Sequence, residues 1–336
     1  MLVALKFWNA YKDYLIDRYG FPVYRIGVDG GFSCPNRSAD RKGGCVFCDS
    51  LGASAVYARS KESGFTRRSG FETSPPQTDS VFAGLSLQQR MESVRKQIER
   101  GKEFIRRRYG SNEVSLYYQA YSNTYGPLDE MEALFRDSIS HGPFYELIVS
   151  TRPDCLGDDV LKRLCLLKNE TIDVSLEMGL QSGSDRILGL MNRGHSVGCW
   201  KDSVNRASDK GLRVCSHVIL GFPSETRTDI DMTIEAVNSS PVSALKIHNL
   251  HITSQSRLLF DYFGGEITAS STARYLQSVV YFLRRIRPDI VIERLMCETP
   301  AHRLAAPRSF PDKSGFLMEL ERMMNQANAV QGDMYC

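Results

Sequence analysis

YELIVSTRPDCLGDDVLKRLCLLKNETIDVSLEMGLQSGSDRILGL, residues 145–190, reads as strand, loop, helix, strand, loop, helix. YELIVS (145–150) and IDVSLEMG (172–179) are short apolar runs of β type, whereas helical periodicity covers about 157–168 and 184–191. The same alternation extends outward in both directions. VYRIGVD (23–29), EVSLYYQ (113–119), VCSHVILG (214–221) and ALKIHNLHI (244–252) add four strands. Helical stretches at about 85–109, 128–141, 196–211 and 226–240 lie between them. Strand and helix in regular alternation predict a parallel sheet with crossover helices. Six βα units are too few for a closed eightfold barrel, so the expected fold is α/β, a partial (β/α)6 TIM-like barrel.

The expected organisation has three parts: an N-terminal amphipathic helix over 1–22, a core over 23–255, and a C-terminal extension over 256–336. The polar run ARSKESGFTRRSGFETSPPQTDSVFAG (58–84) lacks an apolar period and is expected to be a flexible insertion. The extension carries helical periodicity over about 269–287, an apolar run VIERL, a Pro-containing loop and a final helix near 314–328.

With 336 residues, 42% apolar and 24% charged, the chain has a globular composition. No apolar run reaches the roughly 18 residues that suggest a membrane span. The first twenty residues lack the plan of a signal peptide. Nine cysteines at irregular spacing do not form a secreted disulfide framework, so a reducing cytoplasm is the expected location. A net charge of +3 is too small to argue by itself for nucleic acid.

Function in such a sheet gathers at the carboxyl ends of the strands, and the unusual residues fall there. CPNRSADRKGGCVFC (34–48) follows the first strand. QAYSNTYGP, TRPD, GLQSGSD and GFPSET follow the next four, and the sixth ends in His248 and His251. Cys34, Cys45 and Cys48 form a C-x10-C-x2-C set of soft ligands suited to an iron–sulfur cluster or to zinc. A closed zinc site needs a fourth ligand, and no histidine lies nearby. That favours iron–sulfur, with zinc and then unligated cysteines as the alternatives. Three thiolates on a four-iron cluster leave one iron open for something that is not protein. The other six cysteines are scattered singly and read as small buried hydrophobes.

This cysteine set and its βα pattern resemble the radical S-adenosylmethionine (SAM) superfamily. In detail they resemble its YhcC/YtqA branch, a relative of the Elongator catalytic subunit. The segments carrying the likeness are VDGGFSCPNR, GGCVFC, YYQAYSNTY, STRPDCL, LEMGLQS, MNRGH, GLRVCSHVILGFPSET and LKIHNLH. The resemblance implies a [4Fe–4S] cluster on Cys34, Cys45 and Cys48, with SAM chelating the open iron and cleaved reductively to a 5′-deoxyadenosyl radical. It further implies SAM contacts from Gln119, Tyr121, Ser122 and Asn123 near the methionyl amino group. Arg152 would meet a carboxylate of the cofactor or substrate, Glu177 and Gln181 the ribose, and Ile219, Gly221 and Phe222 the adenine. Phe47 is expected to supply apolar cover for the cluster.

Each feature has an ordinary reading as well. An arginine at a strand end commonly forms an ion pair, and Gly and Pro punctuate any chain. His248 and His251, three apart on a strand, are expected to face opposite sides. A packed core histidine is the default, and His248 is kept as a catalytic candidate. His195 reads as a helix cap. Tyr117, Tyr118, Tyr121 and Tyr125 suit the packing of a sheet edge. The basic runs Arg100, Lys102, Arg106, Arg107, Arg108 and Arg284, Arg285, Arg287 read as solvated helix faces, or as phosphate-binding surfaces if they share a face.

The family resemblance implies tRNA as substrate, with reaction at the C5 side chain of the wobble uridine. One version removes the carboxymethyl group from carboxymethylaminomethyl uridine, with Arg152 or Lys313 holding the leaving carboxylate. A one-electron reductant such as flavodoxin or ferredoxin is implied, and no membrane partner. ITSQSRLL after the sixth strand, MCETP (296–300) and the long 58–84 run depart from the family pattern near the expected substrate mouth. A radical SAM enzyme acting on a peptide or small molecule, and a non-enzymatic zinc or iron–sulfur RNA-binding module, are the alternatives.

Overall fold

A computed structural model describes residues 6–37, 43–49, 85–119 and 121–336. The 58–84 run lies outside the described residues. The elements open with helix α1 (Tyr11–Tyr19), strand β1 (Tyr24–Val28), α2 (Leu87–Tyr109), β2 (Val114–Tyr118), α3 (Leu128–Ser140) and β3 (Glu146–Thr151). Then follow α4 (Asp158–Glu170), β4 (Asp173–Gln181), α5 (Asp185–Leu190), α6 (Val197–Asp209), β5 (Arg213–Leu220), α7 (Arg227–Asn238) and β6 (Ala244–Asn249). The last third holds β7 (Ile252–Thr253), α8 (Leu258–Phe263), α9 (Thr272–Arg285), β8 (Val291–Arg294), β9 (Leu304–Ala306) and α10 (Lys313–Gln326).

The main sheet is wholly parallel, in the order β1-β2-β3-β4-β5-β6-β8. It has one strand more than the six expected. VIERL supplies β8, because α9 returns the chain to the free edge of β6. The sheet curls into an open half-barrel, far enough for Arg25 on one edge strand to reach Glu293 on the other at 2.7 Å.

Local chemistry explains the boundaries. Ser86 and Gln89 form a capping box at the start of α2, and Gly110 ends that helix in the left-handed region. Thr226 and Asp229 do the same for α7. The outer faces of the strands, including Val214, Val218, Leu245 and Ile247, are buried under the helices. On the inner face stand Cys215, His217 and Ile219 of β5 and Lys246 and His248 of β6. Tyr11 and Tyr14 of α1 pack against Cys215, Ala244 and Val291 and cover the amino end of the barrel.

Each crossover helix runs antiparallel to the strands, so its last turn sits at the amino end of the sheet. Arg106–Arg108 immediately precede β2, and Arg284–Arg287 precede β8. Both basic runs therefore lie at the end opposite the cysteines. Several members have structural partners: Lys102 donates to the His141 carbonyl, Arg284 pairs with Asp333, and Arg287 donates to the carbonyls of Asn238, Ser240 and Val242.

Candidate active site

Cys34 opens a short 3₁₀ turn over Pro35–Arg37, whose Arg37 N–H donates to the Cys34 carbonyl at 3.0 Å. Gly43 and Gly44 both have positive φ, 78° and 94°, which lets the backbone fold back before Cys45. The Cys48 N–H closes the next turn on the Cys45 carbonyl at 3.0 Å. Neighbouring backbone anchors the loop. Val46 N–H donates to Met191, Leu258 N–H donates to Val46, and the Asn192 amide donates to Gly44 at 2.8 Å.

Polar hydrogens surround the sulfurs. Asn36 Nδ2 lies 3.4 Å from Cys45 Sγ, Arg193 Nη1 3.7 Å from the same sulfur, and Arg37 Nη1 3.9 Å from Cys48 Sγ. Such donors stabilise negative charge on thiolates and on a bound cluster. Without a metal, burial and the neighbouring Cys45 push the Cys48 thiol up to about 12, so a cationic centre is what would keep this thiol ionised.

The residues fit a cluster better than a single ion. Around a tetrahedral zinc, three sulfurs would stand about 3.8 Å apart. Among the described residues, the sole trio of ligand atoms mutually within 4.8 Å is Glu177, Cys215 and His217, so the cysteine sulfurs are spread more widely. Three buried polar atoms nearby also lack hydrogen-bond partners among the described residues: Asn123 Oδ1, Arg152 Nη1 and Arg193 Nε. Unpartnered buried polar atoms are costly and point to a polar occupant.

Arg152, at the end of β3, is 3% exposed. Its fork is engaged by Asp154, at 2.8 and 3.0 Å, and its Nη2 also donates to the Arg193 carbonyl at 2.9 Å. Burial works against its charge, but Asp154, Cys34 and Cys45 raise its pKa, which puts its cation beside the cysteines. Only Nη1 remains for a carboxylate.

The segment after β2 sits on the same edge. The Gln119 amide covers Gly27, where a Cβ would stand 2.6 Å from Nε2. Tyr121 has a φ of 57° and lies under the Arg37 guanidinium at 5.1 Å. Ser122 Oγ contacts Thr151 Oγ1 at 3.2 Å, and Asn123 Nδ2 donates to the Tyr118 and Ser150 carbonyls. Gln181 closes β4 in the left-handed region, at φ 74°, beside a register shift. Ile219 and Phe222 join an apolar cluster with Val46 and Phe47, the Phe47 and Phe222 rings 5.5 Å apart. Gly221, at φ 93°, donates its N–H to Glu225 at 2.7 Å.

Four expectations change position or role. Glu177 does not flank the strand end: it lies four residues earlier, inside the barrel and 1% exposed. Its Oε1 accepts from Lys246 and from Arg25 at 2.7 Å, and its Oε2 from Tyr117 at 2.5 Å and His217 at 2.8 Å. Burial alone would raise this carboxyl, but Lys246, Arg25 and His217 hold it well below its ordinary value. Lys313 is exposed in the first turn of α10, which packs on α9 rather than into the barrel. His195 caps no helix, because the Ser196 side chain accepts from Cys199 N–H at the start of α6. His251 lies beyond the end of β6, held by Asn249 and Thr299, whereas His248 faces inward with its ring 5.3 Å from that of His217.

Sequence reasoning missed Asn36, Arg193 and Glu225 at the edge, and the interior partners Arg25, Lys246 and Glu293. A signal was available for the interior groups. Each of VYRIGVD, IDVSLEMG, VCSHVILG and ALKIHNL carries at least one titratable side chain in mid-strand. A charge in a buried strand needs a partner.

Comparison with known proteins agrees with this architecture. The model of the Radical SAM superfamily matches residues 34–237, and that of the Radical_SAM C-terminal domain residues 242–326. The chain is similar to Protein YhcC of Escherichia coli K12, 29% identical over 328 residues, covering 97% of this chain and 95% of that protein. A 66-residue stretch, 19% of this chain and 15% of the relative, is 44% identical to the tRNA-2-methylthio-N(6)-dimethylallyladenosine synthase of Acidithiobacillus ferrooxidans. In fold, the chain is similar to the archaeal Methanocaldococcus infernus Elp3 lacking its N-terminus. The TM-score is 0.62 at 16% identity, over 72% of this chain and 60% of that one.

Proposed function

Because the chain belongs to the radical SAM superfamily, we propose that it is a tRNA-modifying member that acts on the C5 side chain of wobble uridine. The family is one of enzymes that use a [4Fe–4S] cluster and SAM. In this reading Cys34, Cys45 and Cys48 hold the cluster, and Arg37, Asn36 and Arg193 donate to its sulfurs. When bound, cluster and SAM supply a strongly hydrogen-abstracting radical. The chain's own residues bind, orient and shield it. Gln119, Tyr121, Ser122 and Asn123 line the methionyl amino end, Arg152 Nη1 meets the carboxylate, and Gln181 reaches the ribose, Glu177 being fully engaged elsewhere. Ile219 and Phe222 flank the adenine, and the Phe47–Phe222 contact keeps water from the cluster. A flavodoxin or ferredoxin class of protein supplies the electron.

The observation that carries the chemistry is the three-cysteine loop beside a buried arginine with one open donor. Support for tRNA comes from the likeness in fold to Elp3 and the local likeness to a tRNA-modifying synthase. A small acidic molecule or peptide is the second reading, favoured because both basic helix runs face away from the cysteine edge. Deleting the gene and profiling tRNA nucleosides by mass spectrometry tests the first. Carboxymethylaminomethyl uridine is expected to accumulate and the aminomethyl form to disappear; an unchanged wobble-uridine profile overturns the tRNA reading. Cys45→Ala is expected to abolish iron retention after anaerobic reconstitution.

A further inference from the structure

The interior of the half-barrel holds a group of ionised side chains whose charges do not balance. Arg25 and Lys246 stand against Glu177 and Glu293 in one buried network. Arg294, the last residue of β8, adds a third cation. It is paired in register with Lys246, and its charge helps push down the pKa values of His217, Lys246 and His248. No hydrogen bond or ion pair satisfies Arg294 among the described residues. An exposed arginine alone points to nothing. Here a second, independent observation sits beside it: His248 Nε2 is buried and has no hydrogen-bond partner among the described residues. His248 stands in register with Ile219, beneath the loop that carries Gly221 and Phe222, and Arg294 stands on the neighbouring strand β8, near enough for its charge to act on His248 across the space between them.

We propose that this space is a subsite for one carboxylate of the substrate, held by the Arg294 fork and by His248 Nε2–H, with Lys246 contributing its field. A planar carboxylate matches the guanidinium in geometry. Three cations facing two carboxylates are neutralised by one monoanion, whereas a phosphate dianion would leave an uncompensated negative charge beside the buried Glu177 and Glu293. Burial keeps His248 neutral, so it acts as a dipolar donor and not as a fourth cation. The inference rests on the reading above only in taking the substrate to enter from the cysteine edge. It replaces Arg152 and Lys313 as the groups that would hold a substrate acid.

The test has two arms. First, protein labelled with 15N at histidine is titrated with sodium acetate, acetamide or inorganic phosphate at constant ionic strength. Acetate is expected to shift the His248 resonance saturably, acetamide and phosphate are not, and Arg294→Gln is expected to abolish the shift. Because Arg294 has no partner to lose, the variant should melt at the wild-type temperature. An equal response to acetamide or phosphate, or an acetate response that survives Arg294→Gln, overturns the subsite. Second, kcat/KM of the reconstituted enzyme is compared on anticodon stem-loops bearing carboxymethylaminomethyl uridine or its neutral amide. Wild type is expected to favour the acid by about ten- to a hundredfold, as charge-assisted bonds do. Arg294→Gln should erase that preference and Arg294→Lys should restore part of it. If acetate binds as expected but neither stem-loop reacts, the subsite stands and the tRNA reading falls. If both stem-loops react equally in wild type and variant, the subsite falls and the tRNA reading stands.

Discussion

Glu225 accepts the Gly221 N–H at 2.7 Å, and burial pushes its carboxyl up to about 7. The folded chain therefore holds this proton across a pH range in which an unfolded chain, with its ordinary value of 4.5, has released it. Stability from this group is complete below about 4.5 and is lost as pH rises through about 7. Glu225→Gln keeps the acceptor without the charge. The variant should hold its melting temperature between pH 6 and pH 8 better than wild type, by on the order of 1–3 kcal/mol of stability. Parallel melting curves at both pH values would refute this. At this scale the sequence singled out the three cysteines by their local spacing alone, and it was a poor guide to Glu177. That carboxylate is claimed by Lys246 and Arg25 from strands 69 and 152 residues away, and no local pattern carries such a pairing.

The loop after β4 shows how one element is seated on another. Gly183 donates its N–H to Thr233 Oγ1 of α7 at 2.8 Å, and a Cβ at this glycine would lie 2.4 Å from the Met232 carbonyl and the Thr233 Cα. The obstacle is helix backbone, which cannot rotate away. Gly183→Ala should cost about 1–3 kcal/mol, read as a lower urea midpoint with an unchanged m-value; an unshifted midpoint would show that α7 yields. Helix boundaries were legible in advance, since capping residues such as Ser86, Thr226 and Gly110 act within one turn. The seventh strand was not. VIERL is an ordinary short apolar run, and it becomes a sheet strand only because α9 delivers it to the open edge of β6.

Across the whole molecule, the direction of the crossover helices decides which surfaces share an end. The cysteine loop, Arg152, Gln181 and Phe222 gather at the carboxyl edge, while Arg106–Arg108 and Arg284–Arg287 are carried to the amino end. If the chain binds tRNA as proposed, Arg107→Ser combined with Arg108→Ser should therefore leave that affinity and its salt dependence unchanged. Two lost phosphate contacts would instead lower the log–log salt slope by about 2, and that result would bring nucleic acid to the amino end. Strand and helix alternation, the cysteine spacing and the motif loops determined by themselves the α/β class, the parallel sheet and the sheet edge on which the motif loops fall. These follow from short-range periodicity and from the one-way geometry of βαβ connections. Only the tertiary structure decided that Arg152 is largely spent on Asp154, that Glu177 belongs to an interior ion network, and that Arg294 and His248 Nε2 have no partner among the described residues. Which charges neutralise one another depends on distances across the barrel, and the curl of the sheet sets those distances.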